Sequence, residues 1–170
     1  MKRFAFLKKT VLEPNSSRAN KRKCYGAMTP QTRIVRLFYE EMWNRADKSR
    51  IPEIFHADFT FRGSLGPVLV GHDQFAGYVE DVVRALPDFR CDILETTEQD
   101  DRVVAKMKFS GTHAGTFFGF APTDKRVAWD GSAHFTFRAG LVADLWVLGD
   151  VHGLLQRLAA NRDETEEGTG

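Results

Sequence analysis

The sequence predicts an α+β fold in which helices lie across the concave face of a curved antiparallel sheet and enclose a pocket. Three observations carry this. Long helical periodicity is confined to the stretch before Leu86, and nearly everything from Arg90 to Gly149 reads as strand broken by tight turns. Arg102–Thr112 alternates strictly, with Val103, Ala105, Met107 and Phe109 facing one way and Lys106, Lys108 and Ser110 the other, so one face is dry. Helices first and a meander after them is the α+β order, and a bent sheet crossed by helices forms a cone that holds a pocket.

The elements follow in order. Thr29-Pro30 opens a helix, with an N-cap hydroxyl followed by proline at the first helical position. Ile34, Leu37, Phe38 and Met42 then mark an amphipathic helix to about Arg45, and a short helical turn follows around Ile51–Phe55. Phe59–Arg62 reads as a brief strand ending in the breaker-rich run Gly63-Ser64-Leu65-Gly66-Pro67. Phe75, Val79, Val82, Val83 and Leu86 give a second long helix from about His72, which Leu86-Pro87-Asp88 stops. The strands are Arg90–Thr97, Arg102–Thr112, Arg126–Arg138 and Leu141–Gly149, with turns at Gln99-Asp100-Asp101 and Ala139-Gly140. Val151–Ala160 closes as a short helix, leaving an acidic tail over 161–170 that is expected to be disordered.

A chain of 170 residues makes one domain, here placed at residues 30–160. Eight of the 24 Lys and Arg lie in residues 1–29 against Glu13 alone, which leaves 16 basic and 22 acidic residues in the rest. The folded part is therefore mildly acidic and carries no electrostatic footprint for nucleic acid. No apolar run approaches the ~18 residues of a membrane span, so no membrane partner is expected. Residues 1–29 are basic and nearly acid-free. That is the composition of an organellar presequence, or of a disordered arm ahead of a start at Met28. Cys24 and Cys91 form no CxxC pair, so a reduced compartment is the default: the cytoplasm, or an organelle if the arm is a transit peptide. Fourteen Phe suit a cavity for a hydrophobic small molecule, although any one of them serves equally well as core.

Few side chains suggest chemistry. Asp150 ends the last strand and shares parity with Trp146 and Leu148, so the three line one surface. If that surface is the pocket, aromatic neighbours would desolvate the carboxylate and make it a general acid or base. As a plain N-cap of the last helix it has no reciprocal capping box, because Gly153 stands at the third helical position. His113 shares the parity of Met107 and Phe109 and is either a structural histidine or a proton donor beside a substrate oxygen. Arg62 holds a substrate carbonyl at the rim or makes a surface ion pair. His134 lies on the polar face and suits a surface or subunit interface. Trp43, Trp129 and Trp146 are ordinary core candidates, Trp146 being the one moved toward the pocket by its place near Asp150. GxSxG, Walker, GxGxxG and HExxH motifs are absent, and the five histidines have no ligand spacing, so neither cofactor nor metal is expected.

Gly111-Thr112-His113-Ala114-Gly115-Thr116-Phe117 and Gly119-Phe120-Ala121-Pro122-Thr123 resemble the GTHxGxF…G…PT signature of the SnoaL-like polyketide cyclases, members of the NTF2-like superfamily of cone-shaped α+β folds. Phe38–Asn44, Leu86–Phe89 and Trp146…Asp150 followed by Gly153-Leu154-Leu155-Gln156-Arg157-Leu158 extend the resemblance over about residues 30–160. It implies a cofactor-free intramolecular aldol closure of a polyketide ester. Asp150 takes the place of the cavity aspartate, His113 is the motif histidine, and Arg62 or His113 steadies a carbonyl. Trp43, Met107, Phe109 and Trp146 then contact substrate. Asp124 replaces the family's usual glycine after Pro-Thr, and Gly140-Leu141-Val142 its usual Gly-Lys-Ile. Ketosteroid-isomerase-like chemistry is disfavoured because Arg62-Gly63 stands where an acid is needed. Limonene-epoxide-hydrolase-like chemistry is disfavoured by Lys106 and Lys108 in place of an Asp-Arg-Asp set. The expectation is a cyclase or related acid/base enzyme on a small carbonyl compound, working as a homodimer through the outer sheet face. The alternative is a binding module for an apolar small molecule.

Overall fold

The computed structural model describes residues 28–64 and 66–167, with side chains described to Glu164. The basic N-terminal arm lies outside the described residues. Among the described residues six strands form one curved, open sheet in the order β2-β1-β6-β5-β4-β3: β1 Phe55–Arg62, β2 Leu69–Val70, β3 Arg90–Gln99, β4 Arg102–Thr112, β5 Arg126–Arg138 and β6 Leu141–Gly149. The sheet is mixed rather than wholly antiparallel. β1 enters it from the helical half and runs parallel to β6, pairing Phe61 with Leu145 and Arg62 with Trp146. The two-residue β2 pairs Thr60 with Val70 and covers the edge of β1.

Helix α1 spans Pro30–Arg36, its first turn closed by Thr29, whose hydroxyl accepts from the Thr32 N–H at 3.1 Å. The predicted continuation is not α-helical. Leu37–Trp43 winds as a π-helix, and Asn44 N–H reaches back five residues to the Tyr39 carbonyl at 3.0 Å. The wider turn brings adjacent pairs, Phe38 with Tyr39 and Met42 with Trp43, to the buried side. Lys48–Arg50 forms a 3₁₀ turn, α2 spans Ile51–Ile54 and α3 spans Gly71–Ala85. Helix α4 runs from Val151 to Glu167, well past the boundary expected at Ala160. Its added turns are held on the outside, where Lys125 pairs with Glu164 at 2.7 Å and the Arg162 guanidinium lies over Phe120 at 5.9 Å.

The dry face of the sheet is the one predicted for β4: Val103, Ala105, Met107 and Phe109 are buried, as are Ala133, Phe135 and Phe137 on β5. Onto it pack α1 with its π-helical extension and α3. Phe38 makes edge contacts with Phe55 at 5.4 Å and Phe135 at 5.7 Å, and Phe75 of α3 meets Phe61 at 4.9 Å. Each such ring pair adds about 0.5–1.5 kcal/mol beyond the area it buries. A second, smaller cluster of Ala85, Leu86, Val127, Leu154 and Leu158 seats α4 against β5 and the end of α3.

Candidate functional site

Between the helices and the dry face of the sheet lies a cavity of about 310 Å³. Its wall is a chain of rings: Trp43 to Phe89 at 5.1 Å, Phe89 to Phe109 at 6.1 Å, Phe109 to Trp129 at 5.6 Å and Trp129 to Phe117 at 6.2 Å. Gly131 makes this wall possible. A Cβ there would stand 2.6 Å from Phe109 Cε2 and 2.7 Å from the Leu148 carbonyl, so only glycine lets the Phe109 ring lie across β5.

Polar groups in the lining are few. Tyr39, on the π-helix, is 1 % exposed and its hydroxyl has no hydrogen-bond partner. Cys91 at the start of β3 is buried, and Tyr78 of α3 is partly buried. Burial pushes the Tyr39 phenol and the Cys91 thiol well above their ordinary values and Tyr78 up to about 12, so all three are neutral across the physiological range. Asn44 locks this group together. Its side-chain amide donates to the Cys91 carbonyl at 2.9 Å and accepts from the Cys91 N–H at 2.8 Å, capping the open edge of β3 as a neighbouring strand would. Ser64 accepts from Gly149 N–H at 2.6 Å, and Asp81 stands exposed, paired with Arg84 at 2.8 Å.

One side of the mouth is the loop from His113 to Lys125, which contributes Thr116, Phe117 and Phe118. His113 is its anchor. The residue is 0 % exposed, its N–H donates to the Lys125 carbonyl at 3.0 Å, and its own carbonyl accepts from Thr123 N–H at 3.1 Å and Asp124 N–H at 2.9 Å. Its Nδ1 shares a hydrogen bond with the Thr123 hydroxyl at 3.1 Å, while Nε2 is buried without a partner. Ala114 and Gly115 N–H groups both donate to the Ala85 carbonyl at 3.1 Å. A Cβ on Gly115 would fall 2.5 Å from the Arg84 carbonyl oxygen, so the loop sits on the end of α3 only because that residue is glycine.

The residues singled out in the sequence divide into three groups. Trp43 and Phe109 line the cavity. Met107 and His113 are fully buried, Met107 in the main core and His113 inside the loop, and neither reaches the lining. Trp146, Arg62 and Asp150 are exposed. The shared parity of Trp146 and Leu148 holds, but it belongs to the outer face, while Asp150 lies beyond the end of β6. On β6 the inward residues are Leu145 and Val147, whereas Trp146 is 40 % exposed beneath the Arg62 guanidinium at 5.5 Å and close to His134 at 6.2 Å. Trp146 therefore faces outward and not into the cavity. Asp150 instead accepts from Gly153 N–H at 2.9 Å and caps α4, beside the cavity-lining Val151. Tyr39, Tyr78, Cys91 and Phe89 also line the cavity, and the sequence reading gave none of them a place in the site. The Phe38-Tyr39 and Met42-Trp43 doublets were the one available signal for the first of them.

A cone of bent sheet and helices around an aromatic cavity is the NTF2-like architecture. The family model for the SnoaL-like polyketide cyclases matches residues 33–158, and the chain belongs to that family. Comparison with curated protein sequences gave no match. Among solved structures, a candidate SnoaL-like polyketide cyclase from Jannaschia sp. CCS1 superposes with a TM-score of 0.73 at 19 % identity, covering 78 % of this chain and 94 % of its own. A candidate polyketide cyclase from Acidithiobacillus ferrooxidans gives 0.71 at 21 % identity, covering 80 % and 99 %. AclR, a candidate hydroxylase from Streptomyces galilaeus, gives 0.67 at 26 % identity, covering 79 % and 83 %.

Proposed function

We propose that the protein takes a flat, largely apolar carbonyl compound of the polyketide type into the aromatic cavity and closes a ring in it by acid/base chemistry. The observation that carries this is the cavity itself: a wall of Trp43, Phe89, Phe109, Phe117 and Trp129 with very few polar groups, in a chain of the SnoaL-like family. The aromatic walls would hold the ligand flat and exclude water, which favours intramolecular attack. Asp150 is the proposed base. It exchanges its Gly153 N–H for a proton on a carbon flanked by two carbonyls; the resulting enolate carbon attacks a third carbonyl of the same molecule, and the new alkoxide takes up the proton. The aldol product has the mass of the substrate, and loss of water from it gives a product lighter by one water. Under this reading His113 holds the loop that shapes the mouth rather than touching the reacting atoms.

A second reading, binding without turnover, is favoured by the exposure and capping role of Asp150. Incubation with aromatic poly-β-keto esters, followed by chromatography and mass spectrometry, separates the two. Ring closure gives a shifted peak of unchanged mass, or one lighter by a water, with wild type and not with Asp150→Asn. Saturable binding with no new peak supports the binding module. Equal turnover by Asp150→Asn ends the assignment of Asp150.

A further inference from the structure

We propose that the buried end of the cavity is an oxygen-binding subsite in which the Tyr39 hydroxyl, flanked by Cys91 and Tyr78, donates a hydrogen bond to an uncharged carbonyl oxygen on an aromatic ligand. The inference rests on the reading that the cavity holds an apolar small molecule, and it adds which end of that molecule goes in first and what it must carry.

The first argument is the state of Tyr39. A phenol buried without a partner forfeits the hydrogen bonds it makes in water, and proteins rarely leave such a group idle. Tyr39 is among the most deeply buried residues lining the cavity, whereas the lining residues Phe118 and Asp81 are exposed. The second argument is how it is held. Tyr39 sits in a π-helical stretch, a costly winding that recurs where a side chain must be aimed. Its own carbonyl receives the Asn44 N–H, and the Asn44 side chain clamps both backbone groups of Cys91. One residue thus fixes the phenol and the thiol relative to each other.

The third argument is charge. Among the described residues no Lys, Arg or His lines the cavity, and the one ionised group found there, Asp81, already has Arg84. A carboxylate ligand would shed its water and find no cation. Neutral hydroxyl and thiol donors suit an uncharged acceptor, and Phe89, Phe109 and Trp129 supply faces for an aromatic ring beside it. Because burial keeps the protons of Tyr39, Tyr78 and Cys91 in place, the donor set stays intact across neutral pH.

Three probes of nearly one shape test this: 2-acetylnaphthalene, 2-ethylnaphthalene and 2-naphthoate, titrated by calorimetry into wild type and Tyr39→Phe. Wild type is expected to bind the ketone about 3- to 10-fold more tightly than the hydrocarbon, the worth of one net hydrogen bond, and the carboxylate most weakly. Tyr39→Phe should erase the preference for the ketone and leave the affinity for the hydrocarbon unchanged. The infrared carbonyl stretch of bound ketone should be lowered in wild type and return toward its apolar-solvent position in Tyr39→Phe, a readout that a merely structural tyrosine would not move. Equal binding of ketone and hydrocarbon by wild type, or an unchanged carbonyl stretch in Tyr39→Phe, overturns the subsite while leaving the cavity as a binding site. Failure of wild type to bind any of the three overturns both.

Discussion

Two residues test how the site is built from single side chains. Asp150 accepts a backbone N–H of the first turn of α4, so Asp150→Ala should lower stability by about 1 kcal/mol, whereas Asp150→Asn keeps a capping oxygen and should change it little. Thermal melts of the two variants check this, and they show that a loss of turnover in Asp150→Asn is not a loss of fold. Asn44 is worth more. Asn44→Ala leaves the N–H and the carbonyl of Cys91 unpaired at a buried position, a cost of about 1–3 kcal/mol per orphaned group, and should loosen the start of β3 in amide exchange. The buried thiol and phenols also set a pH dependence. An unfolded chain releases the Cys91 proton near its ordinary 9.0 and the tyrosine protons near 10.0, while the folded chain holds them, above all because burial disfavours their ionised forms. Their contribution is complete at neutral pH and is lost as pH rises through the folded values, so the melting temperature should fall from about pH 9 toward 12. Cys91→Ala should show a shallower fall at the low end of that window; an identical slope would mean that the thiol ionises freely in the folded state. At this scale the sequence was half legible. Strand alternation turned Phe109 inward, and Trp43 entered as a substrate contact only through the family resemblance; both line the cavity, but Tyr39 was hidden because a 3.6-residue repeat does not describe a π-helix.

Among the elements, the loop from His113 to Lys125 and strand β6 are the instructive ones. The GTHAGTF and GFAPT runs looked like chemistry, yet their described contacts are those of a folding device: His113 knots the loop and Gly115 lets it rest on α3. Gly115→Ala puts a methyl group into the Arg84 carbonyl, and its neighbours are backbone atoms that cannot swing away. A loss of about 1–3 kcal/mol is expected, with Phe117 and Phe118 displaced from the mouth and ligand affinity reduced. Denaturant unfolding and probe titration measure the two effects together; unchanged stability would show that the loop does not need this contact. On β6 the alternation of Leu145, Trp146, Val147 and Leu148 was plain, but alternation alone does not say which side is inside. The parallel pairing with β1 settles that. It brings Trp146 beside Arg62 on the outer face, and no local signal in either strand announces it.

At the level of the whole molecule the α+β class and the order of the long strands were legible, because amphipathic periods and turn residues are local properties. The parallel β1–β6 contact, the two-residue β2 and the position of the cavity were not, because they depend on how the sheet bends once the Phe-rich helices are laid on it. The cavity is what the fold provides. Its ring-lined wall draws on α3, β4, β5, the π-helix and the loop after β4, with Phe89 from the turn before β3, so no single segment encodes it. The measurement that bears most directly on its role is the NMR structure of the protein with bound 2-acetylnaphthalene. Intermolecular NOEs from the naphthalene ring to Phe89, Phe109 and Trp129 are expected. A ligand that reports only on Trp146 and Arg62 of the outer face, or on nothing at all, would contradict the assignment of the cavity as the site.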